Sequence, residues 1–158
     1  MMRVHGSRSS ERGATLIEVL IALLVLSVGL LGLAGLQMTS LQSNQSAYYR
    51  SQATVLAYDI TDRMRANRTE ALNGVYDQAL TNKACDLSLT PAGSLAQRDL
   101  AEWLNSLSCL LSADAKGGIV RDSNTRQFTI SIEWDDNRGR IGDANPADRE
   151  KFVYRTQL

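Results

Sequence analysis

The sequence predicts an α+β fold: a long N-terminal α-helical spine packed on an antiparallel β-sheet of three or more strands, with a second short helix. Three observations carry this reading. Residues Ala14 to Leu36 are apolar, and helix-compatible residues continue from there without proline to about Asn67. Ser94 and Gln97 form a capping-box pattern ahead of leucines and a tryptophan at helical spacing. Phe128, Ile130, Ile132 and Trp134 alternate with Thr129, Ser131 and Glu133, which is the period of a half-buried strand.

The apolar run is 23 residues long. As a helix rising ~1.5 Å per residue it spans a hydrocarbon core of ~30 Å. Residues 1–13 before it are polar and carry Arg3, Arg8 and Arg12 against Glu11, so the positive-inside rule keeps the N-terminus cytoplasmic and exports everything after about Gln37. An ordinary secretory signal has a shorter apolar core followed by a small-residue cleavage site; here the small residue, Gly13, comes first. Gly29, Gly32 and Gly35 fall three apart inside the run, each costing roughly 0.5 to 1 kcal/mol of helix stability relative to alanine. They either let helices approach closely and unwind locally, or are simply tolerated in a lone anchor.

The same helix turns amphipathic in its second half. Tyr49, Ala53, Leu56, Ile60 and Met64 recur every three or four residues and define a face that covers a globular core. Asp59 and Arg63, four apart, read as a solvated pair worth roughly 0.3 kcal/mol. The expected organisation is a leader at 1–13, a transmembrane half-helix at 14–36, an amphipathic half-helix at 37–68 and an exported globular domain at 69–158. In that domain Leu95, Leu100, Trp103, Leu104, Leu107 and Leu111 make an amphipathic helix of roughly four turns. Strands are expected at Ile119 to Asp122, at Phe128 to Trp134 after a turn with Ser123 and Asn124, and at Lys151 to Thr156.

Composition narrows the function. The formal net charge is zero and the single histidine is His5, so neither nucleic acid binding nor a histidine-based catalytic centre is indicated. Loss of the leader removes three of the 17 basic residues and one of the 17 acidic ones, leaving a mildly acidic chain. The serines then have no histidine partner, and no glycine-rich phosphate loop follows a strand, so no enzyme and no cofactor is expected. Cys85 and Cys109, an even pair in an exported domain, read as a disulfide worth roughly 3 kcal/mol; two free buried cysteines are the alternative. No zinc site can be completed around them, because histidines are missing. Asp135, Asp136, Asn137, Asp143, Asn145, Asp148 and Glu150 fail the EF-hand spacing for calcium and read as a solvated loop between strands.

The most specific signal is Gly13, Ala14, Thr15, Leu16, Ile17, Glu18: a glycine, four residues, and an acid at the start of a membrane helix. An acid costs about 2.5 to 3.5 kcal/mol at the centre of such a helix and less near the interface, so a positive partner is the first thing to seek. A cut after Gly13 creates an amine at Ala14, and a neighbouring subunit's amine could pair with Glu18. The alternative is an acid that snorkels to the interface.

Arg12 to Leu36 resembles the class III signal of prepilins and pseudopilins, and Ala53 to Arg68 (ATVLAYDITDRMRANR) further resembles the minor pilin family called PilV, the type IV pilus modification protein. Residues 69–158 match only loosely. The resemblance implies a pilin-like fold, cleavage by prepilin peptidase between Gly13 and Ala14, N-methylation of Ala14, and assembly through Glu18. It also implies a minor pilin of the inner membrane and then of the pilus, acting in initiation and assembly and supporting piliation, twitching and adhesion. Its implied partners are other minor pilins, the major pilin, the assembly platform and a PilY-type tip adhesin. The chain departs from the family in beginning its mature part with Ala14 where phenylalanine is usual, and in having glycines where major pilins carry a spine proline. The rival readings are a minor pseudopilin of a type II secretion system and a membrane-tethered periplasmic binding module.

Overall fold

The computed structural model describes residues 15–136 and 149–158. Among them, in chain order, are α1 (Leu16–Ala66), α2 (Arg68–Leu72), β1 (Gln78–Thr81), α3 (Leu95–Leu110), β2 (Lys116–Asp122), β3 (Gln127–Asp135) and β4 (Arg149–Gln157). The chain divides into two compact units, Met1–Thr39 and Ser40–Leu158. The fold is the α+β, pilin-like arrangement expected: a long N-terminal helix packed on an antiparallel sheet, with a shorter helix beside it.

In the first unit every described residue is exposed. An 18-residue window of α1 has a mean hydropathy of 2.7, and the helix is long and apolar enough to cross a membrane. Ser27 donates to the carbonyl of Leu23 at 2.7 Å and Thr39 to that of Gly35 at 3.1 Å, so both hydroxyls are satisfied on the helix itself, as an apolar surrounding requires.

In the second unit the expected face of α1 is the buried one, with Tyr49, Ala53, Leu56, Ile60 and Met64 all in the core. The four described strands follow the order β1-β2-β3-β4, each antiparallel to the next. Alternation puts Phe128, Ile130, Ile132 and Trp134 on the inner face of β3, buried with Ile119 of β2. The sheet is longer than expected: β2 begins at Lys116, β4 runs from Arg149, and β1 had no periodic signal at all. Among the described strands β1 and β4 are the edges. Along β4, Lys151, Val153, Arg155 and Gln157 stand outward, and Lys151 reaches Glu133 of β3 at 3.2 Å.

α3 starts where the capping box placed it. Ser94 Oγ accepts from the Gln97 amide at 3.3 Å, and Gln97 Oε1 accepts from the Ser94 amide at 2.9 Å. Trp103, Leu104 and Leu107 face inward, whereas Leu95, expected on that face, is 49% exposed, and Leu111 is buried just past the last turn. Trp103 Nε1 donates to the carbonyl of Leu56 at 3.0 Å, which fixes α3 against α1. Its ring lies over β2: a Cβ on Gly117 would stand 2.6 Å from Trp103 and 2.6 Å from Leu107, so only glycine admits this approach. α2 is closed by the turn at Gly74, whose φ of +84° suits glycine, with Gly74 N donating to Ala71 O and Val75 N to Glu70 O, each at 3.0 Å.

Candidate functional site: the N-terminal helix start and the disulfide-bound face

Gly13 and Ala14 lie outside the described residues, as do the rest of the leader and His5. Thr15 stands just before α1, where its side-chain oxygen accepts from the Glu18 amide at 3.3 Å and its carbonyl accepts from it at 3.0 Å. Thr15-Leu16-Ile17-Glu18 is thus a helix-start sequence as well, a signal passed over in the motif. Glu18 lies in the first turn, where a negative charge is favoured by the helix dipole, and its side chain is exposed. The helix therefore accommodates this acid electrostatically but supplies no counter-ion of its own among the described residues. On both sides of it, fourteen large apolar residues from Leu16 to Leu36 are exposed, each by about half or more. Added Cβ atoms on Gly29, Gly32 and Gly35 meet nothing within 4 Å, so no close approach within the chain explains these glycines.

In the second unit Cys85 and Cys109 form a disulfide, with their Cα atoms 4.9 Å apart. It ties the segment between β1 and α3 to the outer side of α3. Asn105 reinforces the tie: its Oδ1 accepts from the Asp86 amide at 2.7 Å and its Nδ2 donates to the Asp86 carbonyl at 3.0 Å. The bond closes a loop of sequence separation 24. Replacing both cysteines by serine is expected to lower unfolding free energy by about 3 kcal/mol in the chain-entropy account, read as a lower denaturation midpoint. An unchanged midpoint would show that Asn105 and the core hold the loop without it.

Arg63 is more than half of a solvated pair, and that expectation is corrected. Its guanidinium reaches Asp59 at 3.1 Å, Asp99 at 3.3 Å and Glu102 at 2.6 Å, joining α1 to α3. Burial works against its charge, but the bonds to Glu102 and Asp59 and then to Asp99 raise its pKa above the ordinary arginine value. Asp99 also accepts from the buried Tyr76 hydroxyl, which in turn accepts from Asn67 at 3.2 Å. Burial and then the Asp99 bond push the Tyr76 phenol up to about 12.

The acidic stretch is likewise less of a loop than expected. Asp135 ends β3 and Glu150 belongs to β4, where it meets Arg50 at 3.0 Å. Asp136 is 3% exposed and accepts from the hydroxyl of Ser46 on α1. Asn137, Asp143, Asn145 and Asp148 lie outside the described residues. Among the described residues no cluster of histidine, cysteine, aspartate or glutamate could hold a metal ion.

Comparison with known proteins bears on both units. Residues 8–34, which include Gly13 to Glu18, match the prokaryotic N-terminal methylation motif. Residues 35–104 match the model described as Type IV pilin Tt1218. No curated protein and no solved structure matches the chain. The two matches adjoin without a gap and run over the apolar helix, its amphipathic continuation and the loop ahead of α3, so the chain is similar to a type IV pilin over residues 35–104 and carries the methylation motif ahead of that stretch.

Proposed function

We propose that the chain is a minor pilin of the PilV type, which enters the inner membrane with its N-terminus cytoplasmic and takes part in initiating and assembling type IV pili. The observation that carries this reading is the adjacency of the methylation motif to the pilin match, on one helix whose first described unit is wholly exposed and largely apolar. A bare apolar helix needs a bilayer or other helices to cover it. Prepilin peptidase cuts between Gly13 and Ala14, the new amine at Ala14 is methylated, and Glu18 pairs with the amine of a neighbouring subunit. The exported domain then makes lateral contacts with other minor pilins, the major pilin or a PilY-type tip adhesin. No bond is made or broken by the chain itself.

Deletion of the gene tests the assignment. Surface piliation and twitching should fall while type II secretion of exoenzymes continues. Normal twitching with failed secretion would assign the chain to the pseudopilins instead.

A further inference from the structure

Between α1, the outer side of α3 and the disulfide-bound loop lies a cleft of about 460 Å3. Arg63, Asp86, Glu102 and Asn105 form its polar side, and Leu87, Leu89 and Leu110 its apolar side. Leu87 is 96% exposed and Leu110 50%. Single exposed leucines are ordinary, but Leu87 is held in place. The disulfide and Asn105 anchor its neighbours, and the Asp86 carboxylate accepts from the Ser88 amide at 2.8 Å and hydroxyl at 2.7 Å. An apolar knob already fixed in position loses little freedom when a partner covers it.

Charge specifies what such a partner must carry. Arg63 already serves Asp59, Asp99 and Glu102, and Asp86 adds a fourth carboxylate, with Lys83 the cation that acts on it. Of the charged side chains that line the cleft, Asp86 and Glu102 stand against Arg63, so the lining carries one more negative charge than positive. The Ser88 bonds hold the Asp86 carboxyl below its usual range, so its charge persists in mild acid. The complementary surface is apolar and positive.

We propose that this cleft docks a basic, apolar segment of another protein, whose hydrophobic side chain packs on Leu87, Leu89 and Leu110 while its lysine or arginine reaches Asp86 and Glu102. The long aliphatic stem of either basic residue suits the leucine wall, and its charged head suits the carboxylates beyond. Contact at this cleft does not require the pilus assignment to hold.

The test places a photo-crosslinking residue at Leu87 of the full chain, irradiates intact cells of the native host, and maps the adducts by mass spectrometry. The expected adduct lies on a different protein, in a segment with lysine or arginine beside apolar residues. Glu102→Lys should lower its yield about tenfold or more, and a glutamate in place of the partner's basic residue should restore it. Asp86→Lys, outside the Arg63 cluster, is the second variant and keeps the test valid if Glu102→Lys unfolds. Adducts confined to a second copy of this chain, adducts on acidic or uncharged segments, or no adduct would each overturn the proposal. Because crosslinking reads contact and not piliation, a mapped basic adduct stands even if deletion leaves twitching intact.

Discussion

Glu18→Ala is expected to insert into the membrane, lose its leader, and then fall out of the filament. Insertion depends on the apolar part of α1, where an 18-residue window with a mean hydropathy of 2.7 makes one carboxylate unnecessary for entry. In the proposed processing the leader is cut after Gly13, five positions ahead of Glu18 in the sequence. Assembly is different: in a bundle of helices with little water, an amine without its counter-charge is a buried, unpaired ion, and breaking such a pair costs about 3 to 5 kcal/mol. Recovery in sheared filaments should therefore drop by about tenfold or more at equal expression. Glu18→Gln keeps the shape and removes the charge, so it should resemble Glu18→Ala. Thr15 and the helix dipole offer a competing role for the acid as a helix-start residue. In that case both variants would enter filaments normally and differ from wild type only in helix stability, and the pairing mechanism would be lost.

Gly117→Val should be the most damaging conservative change in the exported domain. Its first added carbon already lies 2.6 Å from both Trp103 and Leu107. Neither neighbour can swing away: Trp103 is held through its indole to the Leu56 carbonyl, and both side chains are fully buried. Overpacking of this kind costs about 3 kcal/mol at the upper end of its usual range, and here it would also part α3 from β2. Chemical denaturation of the full chain in detergent measures it, with Gly117→Ala as the milder member of the pair. A loss under ~1 kcal/mol for valine would mean that α3 can slide, contrary to the tight approach seen.

Periodicity made most of the fold legible. The α1 face, the capping box at Ser94 and the alternation along β3 are local patterns, and each reappears where it was read. What was missed lacks a local pattern. β1 is four residues long with a mixed composition, and it exists because β2 offers it an edge. The start of β2 is hidden by Gly117 and Gly118, which are depleted in strands and are there to admit Trp103, Leu107 and the backbone of Leu80. Arg63 looked like half of an ordinary pair because its further partners, Asp99 and Glu102, stand 36 and 39 residues away. Asp136 looked solvated within a run of acids, yet a single hydroxyl from α1 meets it in the interior. The motif from Gly13 to Glu18 was legible for the opposite reason: it is a short local pattern, it falls within the stretch that matches the methylation motif, and it needs no tertiary fold.

The outward row of β4 bears on solubility. Among the described strands β4 pairs on one side only, and an open strand of nine residues is a ready template for a second copy to extend the sheet. Antiparallel self-pairing centred on Val153 would set each Lys151 against an Arg155 of the other chain. Like charges directly opposite destabilise a strand pair. That edge is thus charged against its own reflection, and copies crowded side by side along a membrane can keep their sheets separate instead of fusing them into an aggregate.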